Sequence, residues 1–260
     1  MRRTERPAPM EPGKVPEATV GFWAIKIVAT TLGEVGGNAV ALTLGLGYLT
    51  GTAIFGTLLA VLLAAQIRAS RFHPTLYWAV ITATTLAGTT LADFCDRSLG
   101  IGYLGGSLVL LASVVATLLF WKRTLGTVAV ESVRTPQAEG FYWATIMFSQ
   151  TLGTALGDWM ADSTGLGYNG SAFLIVLALA VVTALYLRTR VSRPLLFWIA
   201  FVLTRPLGAT LANSFDKPAA SGGLGIDDIT ISGVLALVMV VLVLLIPQRA
   251  GRHAVGVDAA

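Results

Sequence analysis

Five polar side chains recur at matched positions among long apolar runs of this sequence: Glu34, Asn38, Asp93, Asp158 and Asn213. Carboxylate and amide oxygens of this kind suit hard cations such as Mg²⁺, Mn²⁺, Ca²⁺ or Na⁺ and suit copper or zinc poorly. Asp93 and Asp158 are the candidate metal ligands. Thr30, Thr85, Thr89, Gln150 and Thr154 add supporting hydroxyls and an amide, and Arg205 adds a fixed positive charge. A carboxylate inside a bilayer, such as Glu34, can also couple transport to a proton gradient. A second chemistry uses the opposite charge, with Arg205 and Lys26 receiving an organic anion. A third reading needs no ligand: a carboxylate near a membrane surface can simply end its helix in headgroup water.

The surrounding elements are apolar. Of the 260 residues 55% are hydrophobic and 12% charged, and the mean hydropathy is +0.74. Soluble domains carry roughly 25% charge, so the composition is that of an integral membrane protein. Eight apolar segments approach the ~20 residues that cross a bilayer, at about 21–42, 48–67, 76–95, 103–121, 141–161, 168–187, 195–213 and 229–247. The arm over 1–20 and the tail over 248–260 are polar and are expected to be disordered. Lys26 and Glu34 in the first segment suit a retained helix better than a cleaved signal. The lone Cys95 allows no internal disulfide. His73 falls in a loop and His253 in the tail, which leaves no Cys/His metal site. No cofactor is expected.

Basic residues cluster in the arm (Arg2, Arg3, Arg6, Lys14), after the second segment (Arg68, Arg71), after the fourth (Lys122, Arg123, Arg134) and after the sixth (Arg188, Arg190, Arg193). Arg249 and Arg252 continue the set, whereas the opposite loops carry only Arg97 and Lys217. The positive-inside rule then puts both termini and the long loops in the cytoplasm. It also explains the basic charge without nucleic acid.

Trp23, Trp78, Trp143 and Trp198 each open an odd-numbered segment. Ten residues on comes Gly33, Gly88, Gly153 or Gly208; fifteen on comes Asn38, Asp93, Asp158 or Asn213. The first three copies close on a Gly-x-Gly-Tyr corner at Tyr48, Tyr103 and Tyr168, and the fourth lacks the Tyr. The fold is therefore expected to be all-α: eight transmembrane helices as four parallel-repeat hairpins, over about 21–70, 76–122, 141–189 and 195–247. The Trp spacings of 55, 65 and 55 divide the single membrane domain into two pseudo-symmetric halves. Trp is expected at the cytoplasmic interface and Tyr at the outer one.

The odd segments carry two stripes. Small residues lie six, ten and fourteen beyond each Trp, as in Ala29-Gly33-Gly37 and Ser149-Gly153-Gly157, a spacing that lets membrane helices approach closely. One residue further on, at seven, eleven, fifteen and nineteen, runs the polar stripe that holds the candidate site residues. Lipid cannot solvate it, so it is expected to face a bundle interior or a watery cavity. Glu34 and Arg205 lie near mid-membrane and are expected to pair, whereas Lys26, one turn from Trp23, is expected to snorkel to the cytoplasm.

Four co-registered copies over about 20–247 resemble a family of bacterial integral membrane proteins built from tandem two-helix repeats with a Trp in each. It is catalogued as a repeat of unknown function; the resemblance implies topology and no substrate. On the residues, the leading expectation is a small transporter of a hard cation, with the bilayer and a small cation or solute as partners and association of copies left open. An ion channel, an organic-anion carrier and a non-transporting sensor or assembly protein are the alternatives. An enzyme is not expected, because no nucleophile–base pair and no phosphate loop on a strand is present.

Overall fold

The structure is a computed structural model that describes residues 12–221 and 223–252. Eight long helices dominate it: α1 (Val20–Asn38), α2 (Tyr48–Arg68), α3 (Pro74–Asp93), α4 (Tyr103–Leu125), α5 (Pro136–Asp158), α6 (Gly167–Arg188), α7 (Arg193–Asp216) and α8 (Asp228–Leu245). Five of them, α2, α4, α6, α7 and α8, are long and apolar enough to cross a membrane. The other three odd helices fall short because each carries its polar stripe. That stripe is buried, as at Thr30, Thr89, Gln150 and Thr154.

The odd helices form an inner ring, with α1 on α3, α3 on α5, α5 on α7, and α7 back on α1. The even helices surround it. Only 11% of the apolar window of α6 is buried, against 67% in α7, so α6 faces outward and α7 inward. Each even helix packs along the odd helix of the next repeat, α2 on α3, α4 on α5, α6 on α7 and α8 on α1, rather than along its own hairpin partner. The hairpins expected from sequence are thus splayed and interlocked, and the last repeat closes onto the first.

One contact, repeated around the ring, explains why both stripes exist. The glycine ten beyond each Trp receives the side chain seven beyond the next Trp: Gly33 takes Thr85, Gly88 takes Gln150, Gly153 takes Arg205 and Gly208 takes Thr30. A β-carbon at Gly88 would stand 3.1 Å from Cβ of Gln150, and at the other three it would overlap the incoming side chain. Small and polar stripes are the two halves of one interface. Close approach is what glycine permits there.

A second ring closes one end. The aromatic before each Trp packs on the Trp of the following repeat, with centroid separations of 5.4 Å (Phe22–Trp78), 5.7 Å (Tyr77–Trp143), 6.0 Å (Tyr142–Trp198) and 5.6 Å (Phe197–Trp23). The Tyr77 and Tyr142 hydroxyls share a 2.6 Å hydrogen bond. Trp78, Trp143 and Trp198 are consequently buried, not turned to headgroups as an interfacial belt would be. Tilted and edge-on ring pairs contribute roughly 0.5–1.5 kcal/mol each beyond their burial, which favours the inward arrangement.

The expected disorder of the two ends is corrected for part of each. Strand β1 (Pro12–Pro16) pairs antiparallel with β2 (Ala250–Arg252). Val15 is buried with Val130, Val133 and the tryptophans, and the Lys14 amine reaches Oε1 of Glu139 at 2.6 Å and the Ile67 carbonyl at 3.1 Å. These tertiary contacts order segments whose composition is loop-like. Residues 1–11 and 253–260, among them Arg2, Arg3, Arg6 and His253, lie outside the described residues.

At the other end, α1, α3 and α5 each run into a single π-helical turn, over Ala39–Thr43, Phe94–Ser98 and Trp159–Ser163. The corner that follows needs left-handed backbone at both glycines, as at Gly45 (φ 68°) and Gly47 (φ 77°). This is the reason for the Gly-x-Gly. The fourth repeat has no such turn; α7 runs on to Asp216.

Candidate functional site

The ring axis is occupied by one guanidinium. Arg205 sits seven residues beyond Trp198 on α7, directly before Pro206. The two N–H groups of its Nη2 are shared among three acceptors, Glu34 Oε2 on α1 at 2.9 Å, Thr89 Oγ1 on α3 at 2.5 Å and Thr154 Oγ1 on α5 at 2.6 Å. A single nitrogen therefore touches all three other inner helices. Side-chain exposure is 0% for Arg205 and 2% for Glu34, so the expected pair exists, deep in the bundle. Thr89 is held as an acceptor because its own hydroxyl proton is within reach of the Gly33 carbonyl at 3.0 Å and the Thr85 carbonyl at 2.9 Å.

Only part of this arginine is satisfied. Nε and Nη1 are buried without a hydrogen-bond partner among the described residues, as are both amide atoms of Gln150 and the hydroxyl of Ser149. Buried polar atoms left unpaired cost about 1–3 kcal/mol each, more when charged, so unpartnered atoms on a fully buried arginine call for an explanation beyond packing.

The layer fifteen beyond each Trp lies one step further along the axis, immediately before the π turns. Asn38, Asp93, Asp158 and Asn213 are all buried there. The two carboxylates converge on an arginine: Arg97 donates from Nε to Asp93 Oδ1 at 2.8 Å and from Nη2 to Asp158 Oδ2 at 3.0 Å. Arg97 is 42% exposed while Asp93 is 3% exposed, so the guanidinium lies over the carboxylates like a bolt at the corner end of the axis. In the sequence Arg97 stands among the few basic residues of the opposite loops, nineteen beyond Trp78 and four beyond Asp93, and that four-residue spacing is the signal of the contact. The position between the two candidate metal ligands, Asp93 and Asp158, is taken by a cation of the chain itself. Among the described residues no three His, Cys, Asp or Glu side chains gather as a metal site requires.

Thr30 and Thr85 belong to the packing contacts. Thr30 Oγ1 donates to the Ile27 carbonyl at 2.9 Å, and Thr85 Oγ1 to the Thr82 carbonyl at 2.7 Å, while both fill glycine gaps of the neighbouring helix. Lys26 does not snorkel. It is fully buried, with Nζ 3.4 Å from Thr204 Oγ1 and 4.0 Å from the centre of the Phe201 ring. Aromatic side chains close the Trp end above it, and turning inward over a ring face offsets part of its desolvation.

No curated protein and no solved structure matches the chain. A family model does, four times in succession, over residues 21–72, 76–127, 141–192 and 196–249, the four units that the rings of contacts relate to one another. With nearly the whole chain covered, the protein belongs to the family described as Repeat of Unknown Function (DUF347).

Proposed function

We propose that the protein is a membrane carrier for a small anionic solute, bound at Arg205 and admitted when Glu34 takes up a proton. The observation that carries this is the fully buried guanidinium with Nε and Nη1 unpartnered; Gln150, at the same repeat position seven beyond its Trp, has a buried unpartnered amide as well. The parallel N–H pairs that suit a carboxylate or oxyanion join Nη2 to Nε or to Nη1, so the solute takes the place of Glu34 at Nη2 and adds one of the unpartnered N–H groups. Glu34 then acts as the resident stand-in for the solute. Its protonation removes the competing charge, so anion and proton enter together and the desolvated site stays near neutral. A side chain that joins all four inner helices across the axis favours a carrier, which must rearrange, over a permanently open pore. The hard-cation reading loses support because Arg97 holds both carboxylates of the outer layer.

The carrier would cross the bacterial inner membrane eight times with its Trp end in the cytoplasm, following the basic loops. In this arrangement the cytoplasmic end is sealed by the aromatic ring, and the axis is reached from outside past Arg97. In a Cys95→Ala background, Leu166→Cys at an outer corner is expected to react with an impermeant thiol reagent on intact cells, and Thr124→Cys to react only after lysis. The reverse pattern would invert the topology.

Binding is tested by titrating purified protein with acetate, succinate, phosphate and chloride, and separately with Mg²⁺, Mn²⁺, Ca²⁺ and Na⁺. Glu34→Gln mimics the protonated acid; it is expected to bind the preferred anion about tenfold or more tightly at neutral pH and to lose the pH dependence of the parent. Such a gain corresponds to ~1.4 kcal/mol. Arg205→Lys is expected to lose binding, since one ammonium cannot replace the fork. Saturable binding of a cation with indifference to every anion would restore the cation reading instead.

A further inference from the structure

We propose that the cleft between α1, α6 and α7 binds an anionic phospholipid, its phosphate at Arg193 and one acyl chain running along α7 toward Thr204. The cleft has a volume of about 560 Å³ and an apolar lining that includes Trp23, Ile27, Val182, Phe197 and Ala200. This is within the range of built ligand sites. It opens beside α6, the face of the molecule with almost no buried residues, where Tyr186 and Leu187 are exposed. From Arg193 to Thr204 is eleven residues of helix, about 16 Å, roughly half of the ~30 Å hydrocarbon core. That is the depth of one leaflet.

The mouth carries the matching charge. Arg193 lies 4.2 Å from the Tyr186 ring and donates to the Tyr186 carbonyl, which holds its guanidinium at the lip. Arg188 and Arg190 lie in the adjoining turn. The N-termini of α1 and α7 both begin there, at Val20 and Arg193, and helix N-termini favour anions. Glu131 also lines the cleft and opposes the anion; Arg193 in the lining and the two helix N-termini favour it.

The pseudo-symmetry argues that this junction differs from the other three. Positions matching Arg193 hold Ala18, His73 and Ala138, so the arginine belongs to this junction alone. Of the four repeat tryptophans, Trp23 alone keeps partial exposure, and it faces this cleft.

The test is native mass spectrometry of the full chain in detergent, titrated with phosphatidylglycerol or with phosphatidylcholine of the same acyl chains. The parent is expected to retain one phosphatidylglycerol about fivefold more tightly than phosphatidylcholine, the ~1 kcal/mol that one arginine contributes at an anionic surface. Arg193→Gln should bring the ratio close to one, and Arg193→Lys should keep most of it. Ala200→Phe, or Thr183→Trp from the opposite wall if the first fails to fold, should abolish tight retention of both lipids. An equal affinity of the parent for the two lipids, or an unchanged ratio in Arg193→Gln, overturns the assignment of an anionic headgroup to Arg193. Parent-like lipid retention in a folded cleft-filling variant overturns the cleft. Neither result bears on Arg205, so this proposal and the anion-carrier reading fail separately.

Discussion

Arg205→Ala is expected to lower the stability of the detergent-solubilised protein by about 3–5 kcal/mol, the cost of leaving a buried charge without its partner. The double change with Glu34→Gln is expected to cost less than Arg205→Ala alone. The reason is local. Nη2 of Arg205 is the shared donor to Glu34, Thr89 and Thr154, so its removal strands a carboxylate that is 2% exposed together with two hydroxyl acceptors. Neutralising Glu34 removes the most expensive of these. Glu34→Gln alone should be milder, since the amide oxygen still accepts from the guanidinium. A double-mutant cycle from denaturant unfolding, carried out in one detergent, measures the coupling. Strict additivity would dissolve the pair as an energetic unit, and with it the idea that Glu34 yields its place to a solute.

Gly153→Val is expected to prevent correct assembly altogether. A β-carbon at Gly153 overlaps Cγ and Cβ of Arg205 and stands 3.0 Å from Cδ of Pro206. Neither neighbour can retreat, because Arg205 is tethered to three helices and Pro206 is ring-locked into α7. Overpacking typically costs about 1–3 kcal/mol. Here the ring contact and the buried ion pair are lost together, so the loss should exceed that range. Gly208→Val, which meets Thr30 in the equivalent contact, should behave alike. Gly233→Ala in α8 is the control: nothing lies within 4 Å of its β-carbon, and the change should stabilise the helix by about 0.5–1 kcal/mol. Size-exclusion profiles and thermal unfolding distinguish the three. A monodisperse Gly153→Val with parent-like unfolding would refute the interlocked ring.

Much of the site was legible in the primary structure because the repeats provide an internal ruler. Trp, glycine and polar positions in register at four places imply that equivalent side chains share a depth, and charges near mid-membrane must be paired. Glu34 and Arg205 follow from that argument. Arg97 did not, because a long side chain near the membrane surface has water as an alternative partner; only its placement over Asp93 and Asp158 shows that it turns inward. Lys26 failed in the opposite sense, since one turn of helix left it free to reach the cytoplasm until the aromatic ring closed above it. The ordered strands β1 and β2 were hidden as well, because a proline-bearing arm gains structure only from the surfaces it meets at Glu139 and Val133.

The sequence by itself determined the all-helical repeat architecture, the two stripes on each odd helix and the layer, seven, eleven or fifteen beyond the Trp, to which each candidate residue belongs. These follow from local periodicity, which the 3.6-residue helix converts directly into faces and depths. Only the tertiary structure decided that each even helix leans on the next repeat, that the small stripe of one helix receives the polar stripe of its neighbour, and that the fourth repeat closes on the first. Nothing local distinguishes a hairpin that folds on itself from one that splays, since the same apolar faces are buried either way. The choice is made by the sum of glycine-mediated contacts and aromatic pairs around a closed ring, and a sum over all four repeats is visible only once they are assembled.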